Sequence, residues 1–576
     1  MTKTRKDFLK ESGLITGGLL AGGFANPFSF SDKKSLYERS IYAEETEADL
    51  VIIGGGTGGC AAALSALRLG LNVVMTEQTD WIGGQLTSQA VPPDENPWVE
   101  TFGASESYQL YRKEVRDYYR RHYPLREELV GEEFLNPGNG WVSRISHEPQ
   151  VSLAILEAML APYVSNGSLQ ILRDFVPVAV HTNGDYFSAI DVKHNYTSQK
   201  ITLHAPWFID ATEMGDVLKL GDVEYVTGAE GRNQTEELHA PETADPDNLQ
   251  AFNLCFILEY QAGMDFIGEK PENYEFWRNY KPDINPSWPG PLFSLTYSNP
   301  VTLEPRTLPF DPADQDGWWA YRQILDHNNF KQGFFNGPLA CINWPQHAYM
   351  EGKLIDEPDE VIQHHLSRAA ELNKSLIYWL QTEAPRPDGG EGWPGLRLRG
   401  DIFNTRNGMA KHAYIRESRR IKAKFTVLEQ HVGTEARMKE TGLEEEDVRA
   451  AIFEDSVGIG AYRIDLHPST KGNNYIDISS LPFQIPLGAL IPQRVRNLVP
   501  ACKNIGTTHI TNGCYRLHPV EWNIGESAGA LLAFCKEHSV EPHQVYESQA
   551  LTAEFQRVLT NIGVRLDWPQ DQVHAL

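Results

Sequence analysis

The sequence predicts an α/β protein, in which a discontinuous domain with a parallel sheet is interrupted by a second, mixed α+β domain. Three segments predict this class: a glycine-rich turn between an apolar strand and an Ala-rich helix at 49–69, an apolar strand at 207–212, and a glycine-containing helix at 521–535. Short, wholly apolar strands are typical of sheets that are covered on both faces. Because the three segments lie far apart, the residues between them must form the inserted domain.

Length and composition limit the class of protein. At about 150 residues per domain, 576 residues predict roughly two to four domains. The 77 acidic and 51 basic residues give a net charge of −26, which repels phosphate backbones and predicts that nucleic acid is not a partner. The six cysteines lack CxxC spacing, so neither a disulfide framework nor a metal site is expected.

The first residues are expected to be a targeting segment. Basic residues at 3–10 precede an apolar, Gly-rich run at 13–25, which is too short to span a bilayer. The run 4–10 is similar to a twin-arginine export signal, with Lys6 at the second arginine position. We therefore predict an export signal at 1–25 that directs the chain to the periplasm, followed by a linker at 26–46. The alternative is a cytoplasmic protein. No later run is long enough for an integral membrane segment.

The glycine-rich turn has the features of a Rossmann-like dinucleotide site. Strand 49–53 leads into GxGxxG, helix 60–69 follows, and a second strand ends at Glu77, 23 residues after Gly54. The glycines allow a tight turn, close approach to a pyrophosphate and close packing of the helix, and the acid can bind the ribose hydroxyls. The candidate cofactor-binding residues here are Gly54, Gly56, Thr57, Gly58, Gly59, Glu77 and Gln78.

Another glycine pair lies close to this turn, and the chain is predicted to return to the nucleotide twice more, at 207–217 and 497–535. A second glycine pair comes just after Glu77, the strand at 207–212 ends in small residues, and the helix that follows 521 carries glycines four residues apart, on one face. A β insertion is expected at about 165–205. The candidate cofactor-binding residues of these segments are Gly83, Gly84, Gln85, Ala211, Thr212, Gly506, Gly525 and Gly529.

This pattern resembles the bacterial FAD-dependent oxidoreductase family of the glutathione-reductase-like flavoproteins. Further segments that carry the resemblance lie at 146–149, 342–346, 414–420, 462–468 and 512–519. It implies FAD as cofactor and a Rossmann-like domain with a β-α-β unit and a β-meander insertion. The implied FAD-binding segments are 47–90, 146–217 and 481–536, the substrate or cap segments are 91–145 and 218–480, and 537–576 is a C-terminal helical tail.

Hydride removal needs a group that takes a proton and a positive group that holds the substrate. Two clusters of basic and aromatic residues can supply them; their members are Arg463, His467, His509, Tyr515, Arg516 and His518. The favoured function is an FAD-dependent oxidoreductase that takes a hydride from a small or medium polar substrate and passes electrons to oxygen or to an external carrier. The alternatives are a flavoprotein isomerase or lyase without net redox, and an exported binding protein with a degenerate flavin site.

Overall fold

The computed structural model describes residues 44–576. The predicted export signal and the linker up to residue 43 lie outside the described residues. The helices are α1 (Thr57–Arg68), α2 (Glu106–His122), α3 (Pro149–Ser165), α4 (Asp216–Leu220), α5 (Arg232–Thr235), α6 (Tyr274–Asn279), α7 (Trp318–Tyr321), α8 (Asp359–Thr382), α9 (Glu429–Val432), α10 (Thr434–Thr441), α11 (His509–Tyr515), α12 (His518–His538), α13 (Pro542–Glu547) and α14 (Gln549–Asn561).

The strands are short, and most of the longer ones lie in the first half of the chain. They are β1 (Glu45–Glu47), β2 (Leu50–Ile53), β3 (Val73–Glu77), β4 (Leu169–Arg173), β5 (Phe175–Asn183), β6 (Tyr186–His194), β7 (Lys200–His204), β8 (Trp207–Asp210), β9 (Tyr225–Val226), β10 (Phe256–Tyr260), β11 (Thr296–Ser298), β12 (Pro305–Thr307), β13 (Phe310–Asp311), β14 (Asp316–Gly317), β15 (Gln323–Leu325), β16 (Leu339–Ile342), β17 (Leu396–Leu398), β18 (Arg420–Ile421), β19 (Ser456–Gly460), β20 (Ile464–Leu466), β21 (Ile476–Ile478), β22 (Phe483–Pro486) and β23 (Leu498–Pro500).

A five-stranded parallel sheet joins segments from both ends of the described chain. Its order is β23-β8-β2-β3-β4, and every neighbouring pair is parallel. The strands β2 and β3 are wholly buried, as their apolar composition predicts. The carboxyl ends of β2, β8 and β23 therefore lie side by side, and the loops that leave them form one edge of the sheet.

A second sheet covers the region of the predicted β insertion. Strands β5, β6 and β7 pair antiparallel, and β1 joins β7 in parallel. The predicted insertion began too early, because β4 belongs to the parallel sheet and pairs with β3. The predicted linker ended too late, because Glu45 and Thr46 already lie in β1. In the predicted helical tail, α13 and α14 follow α12.

The middle of the chain builds a separate apolar core around β10, β16, β17 and α8. The sheet order is β15-β16-β10-β17, with antiparallel pairs. Most of the tryptophans of the middle of the chain are buried in this core, among them Trp277, Trp288 and Trp319. Within residues 44–576, no helix is both long enough and apolar enough to cross a lipid bilayer.

Helix α12 packs directly on helix α1 through glycines. A Cβ atom on Gly525 would lie 2.0 Å from the carbonyl oxygen of Gly58, and one on Gly529 would lie 2.1 Å from that of Ala62. The Ser65 hydroxyl donates a hydrogen bond to the Glu526 carbonyl at 2.7 Å. These two glycines therefore meet a helix, whereas the sequence placed them against the cofactor.

Replacing Gly525 by Ala should destabilise the protein. The added methyl group forces α1 and α12 apart, which costs about 1–3 kcal/mol and outweighs the gain of roughly 1 kcal/mol in helix propensity. Urea unfolding of the two proteins measures the difference. The matched control is Gly131→Ala, since nothing lies within 4 Å of its added Cβ; this variant should stay within about 0.5 kcal/mol of wild type. Equal stability of both variants would contradict the packing argument.

Candidate functional site

The first cavity lies at the carboxyl edge of the parallel sheet. It has a volume of about 420 Å³, including space open to solvent, and lies between the turn after β2, the end of β3 and the loop after β8. Its lining includes seven of the predicted cofactor-binding residues: Gly54, Gly56, Glu77, Gln78, Gly84, Ala211 and Thr212. Carboxyl edges of parallel sheets are the usual binding position for nucleotides in α/β proteins.

The backbone around this cavity fits a dinucleotide such as FAD. Gly54 has φ +103°, and a Cβ there would lie 2.2 Å from the Ala211 carbonyl oxygen. Helix α1 begins beside it with no capping side chain and no acidic residue in its first turn, within the described residues. Its first amide groups are thus available to an anion, and the helix dipole favours negative charge there.

Glu77 holds the glycine turn and also faces the cavity. Its carboxylate accepts hydrogen bonds from the amides of Gly55 at 3.1 Å and Thr79 at 2.9 Å. Burial raises the pKa of Glu77 to about 7, against the lowering effect of these hydrogen bonds. A ribose that donates hydroxyl hydrogens to this carboxylate would stabilise its charged form.

A buried charge cluster borders the same cavity. Glu213 lines it, close to Gly56 and Gly84, and its carboxylate forms an ion pair with Lys503. Glu521, at the start of α12, receives a hydrogen bond from the Gln85 side chain, and burial raises its pKa to about 8. Lys503 is not among the residues that the sequence predicts, although it lies only three residues after the end of strand β23.

The other predicted cofactor residues do not line the cavity. Thr57 donates from its hydroxyl to the Gly83 carbonyl at 3.0 Å, which fixes the second glycine pair against the first turn. Gly58 and Gly59 allow close approach of the Ala501 and Gly54 carbonyls, and Gly506 packs against Ala423 and the Phe425 carbonyl. These glycines are needed for backbone packing around the cavity.

The second cavity is larger and encloses about 1660 Å³, including space open to solvent. Its lining comes from the loop 94–97, the segment 297–308, helix α7 with Arg322, and the segments 414–416, 462–467 and 516–517. Three predicted catalytic residues line it: Arg463, His467 and Arg516. Arg463 is bound to Asp477 and to the Leu576 carbonyl, so its charge is already compensated.

His467 and Asp465 form a pair in the wall of the second cavity. His467 Nε2 lies 3.5 Å from Asp465 Oδ2. Burial, followed by the positive charge of Arg416, lowers the pKa of His467 to about 4, so the imidazole is neutral at pH 7. Burial raises the pKa of the Asp465 carboxyl, but its contact with His467 and the positive charges of Arg516 and Arg416 outweigh burial and hold that pKa well below its usual range.

Sequence reasoning missed several residues of this cavity. Arg416 donates to the Ala251 carbonyl and to Asn253 Oδ1, both at 2.7 Å, and its guanidinium lies over the Tyr414 ring. Arg516 donates to the Tyr414 hydroxyl at 2.7 Å and to the Asp465 carbonyl at 3.0 Å. The segments 414–420 and 462–468 are among the sequence motifs, but Arg416, Tyr414 and Asp465 within them are not among the predicted catalytic residues.

His518 and Tyr515 lie behind the wall of the second cavity. His518 accepts a hydrogen bond from the Asp94 amide at 3.0 Å, and burial lowers its pKa to about 4. Tyr515 stacks on Phe483 and donates to the Gln484 carbonyl at 2.7 Å. Neither side chain lines the cavity, so the prediction that they contact substrate lacks support from the geometry.

His509 belongs to a different, buried network. Its Nδ1 lies 2.8 Å from Glu417 Oε1, and Arg420 pairs with Glu417 and Glu230. Burial opposes a charged His509, but the Glu417 carboxylate outweighs it and raises the pKa of His509. The pKa of Glu417 is lowered to about 2, against the effect of burial, by His509 and Arg420. His509 therefore ties α11 to the segment after residue 416.

A hydrogen bond links the walls of the two cavities. Gly84 lines the first cavity, and the side-chain amide of the next residue, Gln85, donates to the Arg516 carbonyl at 3.0 Å. Arg516 itself lines the second cavity. Among residues 44–576, no group of three or more His, Cys, Asp or Glu side chains is arranged to hold a metal ion.

Replacing His509 by Gln should reduce stability in a pH-dependent manner. The raised pKa of His509 gives stability that is full below about pH 6.5 and is lost as pH rises through the folded-state value. The lowered pKa of Glu417 gives stability that is present above about pH 4.5 and is lost as pH falls. At pH 6 the free energy of unfolding of the variant should be about 3–5 kcal/mol lower than that of wild type. At pH 9 the difference should be smaller.

Urea unfolding at both pH values measures this loss. The exposed His122, replaced by Gln, is the matched control and should change little at either pH. A loss at pH 9 as large as at pH 6 would show that the charge of His509 does not contribute to stability.

Comparisons with known proteins agree with the nucleotide-binding geometry. A family model described as FAD dependent oxidoreductase matches residues 49–559. The chain is 42% identical over 57 residues to the bilirubin reductase of Mediterraneibacter gnavus (strain CC55_001C); the match covers 10% of this chain and 9% of that reductase.

Two solved structures align over most of the chain with low identity. A geranylgeranyl bacteriochlorophyll reductase-like protein from Thermoplasma acidophilum is 11% identical, with 91% of this chain and 85% of that chain covered and a TM-score of 0.31. The OxyS anhydrotetracycline hydroxylase from Streptomyces rimosus is 10% identical, with 90% of this chain and 67% of that chain covered and a TM-score of 0.31. Since the family model spans residues 49–559, the chain belongs to the FAD-dependent oxidoreductase family and is an enzyme that uses FAD.

Proposed function

We propose that the enzyme removes a hydride from a small or medium polar substrate bound in the second cavity, and passes the electrons to oxygen or to an external carrier. The single observation that carries this proposal is the adjacency of the two cavities, joined by Gln85 and Arg516. FAD, which the residues of the first cavity would hold, would supply the two-electron acceptor for this hydride. The residues of this chain bind the substrate, orient it and take its proton.

The proposed FAD site is the first cavity, in a Rossmann-like, glutathione-reductase-like domain built from 47–90, 146–217 and 481–536. The parallel order β23-β8-β2-β3-β4 supports this division, because it draws strands from all three segments. The pyrophosphate would lie at the start of α1, near Gly56, Thr57 and Gly58, and the ribose at Glu77. The segments 91–145 and 218–480 would form the substrate or cap domain.

His467 is the proposed proton acceptor. Its imidazole is neutral at pH 7, it lines the second cavity, and Asp465 lies 3.5 Å from Nε2. The substrate would lose a hydride from carbon, for which FAD held in the first cavity would be the acceptor. It would lose the proton of its hydroxyl or amino group to Nδ1 of His467, since the other nitrogen, Nε2, faces Asp465. The Asp465 carboxylate stabilises the imidazolium that forms. The substrate carbon is thereby oxidised by two electrons, which pass finally to oxygen or to the external carrier.

The cofactor proposal predicts that Glu77→Arg loses FAD. The arginine would remove the ribose acceptor, and two hydrogen bonds to ribose contribute roughly 10- to 100-fold in affinity. Flavin absorbance of the purified protein and titration of FAD into the apoprotein measure this. The control Glu77→Gln keeps one acceptor oxygen and should lose less. If Glu77→Arg binds FAD as wild type does, the ribose does not lie at residue 77.

The function proposal predicts that a substrate bleaches the bound flavin without oxygen. Wild-type holoenzyme is screened anaerobically against polar metabolites, and the rate of bleaching is then measured by stopped flow. His467→Gln should keep its FAD and slow bleaching by about 10²- to 10⁴-fold. The control His365→Gln, in α8, should bleach at the wild-type rate. Product formation without bleaching would favour an isomerase or lyase, and wild-type bleaching by His467→Gln would exclude His467 as the base.

A further inference from the structure

Three buried arginines line the second cavity, and only two of them form an ion pair with an aspartate among the described residues. Arg322, Arg416 and Arg516 all line it and are nearly inaccessible to solvent. Arg322 pairs with Asp94 at 3.3 Å, and Arg516 lies 3.5 Å from Asp465. The arginine cluster, defined by these three residues, therefore contains one arginine, Arg416, that has no ion-pair partner among the described residues.

Arg416 is the arginine without a carboxylate partner. Within the part of the chain that the structure describes, it forms no ion pair, and its hydrogen-bond acceptors are neutral: the Ala251 carbonyl and Asn253 Oδ1. Burial, and then the nearby charge of Arg516, lower its pKa below the ordinary arginine value. A buried charge without a counter-ion is costly, and an anion bound in the cavity would remove that cost.

A second observation points to a ligand at the same place. Asn343 also lines the cavity and is 5% exposed, and its Oδ1 has no hydrogen-bond partner within residues 44–576. Buried polar atoms normally have partners, so an unpaired one in a cavity wall indicates a group that arrives with a ligand. The site thus offers the planar guanidinium of Arg416 to an anion, and the unpaired Oδ1 of Asn343 to a hydrogen-bond donor of the ligand.

The outer part of the cavity is mainly apolar. Trp141 and Val301 line it and are 56% and 58% exposed, and Tyr297, Leu308 and Trp318 lie on the same walls. Exposed apolar side chains at the mouth of a cavity are typical of a surface that covers the apolar part of a ligand. The polar and apolar parts are therefore arranged for an amphipathic molecule.

We propose that the substrate is an amphipathic carboxylate, whose carboxylate pairs with Arg416 and whose apolar body lies against Tyr297 and Trp318. The inference rests on the proposed function and adds the substrate class to it. A single carboxylate matches the one uncompensated positive charge, whereas a phosphate would bring up to two charges beside Asp94 and Asp465. The planar guanidinium holds a carboxylate with two parallel hydrogen bonds.

Binding to the holoenzyme tests the proposal independently of turnover. The probes are phenylacetate, cinnamate and decanoate, each compared with its neutral amide, and phenylphosphonate, measured by calorimetry. At least one carboxylate should bind about tenfold or more tightly than its amide and than phenylphosphonate. Equal binding of acid and amide, tighter binding of the phosphonate, or no binding of any carboxylate would overturn the proposal.

Variants assign the carboxylate to Arg416. In Arg416→Met the preference for the acid should be lost, and Arg416→Lys, which keeps the charge without the planar fork, should restore part of it. Arg121→Met, on the exposed face of α2, is the matched control and should bind as wild type does. If Arg416→Met does not fold, Arg416→Lys decides: an unchanged preference for the acid in that variant overturns the role of the Arg416 fork.

Failure of the substrate class can be distinguished from failure of the proposed oxidoreductase function. Flavin bleaching by neutral compounds alone would leave the function intact and overturn the substrate class. Tight, Arg416-dependent binding of carboxylates, together with no bleaching by any compound, would support the anion site and contradict the oxidoreductase step assigned to the second cavity.

Discussion

The contact between α1 and α12 through glycine is the interaction on which the architecture depends. These helices are more than 450 residues apart in sequence, yet Gly525 lies against the Gly58 carbonyl and Ser65 bonds to Glu526. The contact holds the last part of the chain onto the first βα unit. Without it, β23 could not lie beside β8, and the segment 501–517, which runs from one cavity to the other, would have no fixed position.

This constraint explains why the two cavities are neighbours. The end of β23 leads to Lys503 beside the first cavity, and the chain then passes through α11 to Arg516 beside the second. The stretch between β23 and α12 is therefore fixed at both ends; it contacts the first cavity through the Lys503–Glu213 ion pair and lines the second through Arg516. Because rigid elements fix both ends of this short segment, the site residues that it carries have well-defined positions.

Much of the nucleotide site could be predicted because its signals are local. The turn after β2 and the acid at the end of β3 are close in sequence, and each residue type there has one main physical use. The glycines of α12 were predicted as well, but for the wrong neighbour. A pair of glycines four residues apart provides a smooth helix face, and the sequence does not say whether a helix or a cofactor covers it.

The second cavity could not be derived in the same way, since its contacts are not local. Arg416 is bound to residues 163 and 165 positions away, and Arg322 meets Asp94 across 228 positions. Histidine and arginine residues near α12 were therefore chosen by their distance from the glycine helix along the chain. That reasoning found Arg516 and His467, but it also selected His509, whose partner Glu417 makes it part of a buried ion-pair network.

Arg416 and His467 are coupled through charge, and this links binding to chemistry. The positive charge of Arg416 is, after burial, the largest cause of the lowered pKa of His467. A carboxylate that pairs with Arg416 would offset that repulsion, so the pKa of His467 would rise, although burial would still hold it below its ordinary value. A base is most effective when its pKa is near the working pH. The proposed anion would therefore improve the base that takes its proton, whereas a neutral molecule in the same cavity would leave His467 a weak base.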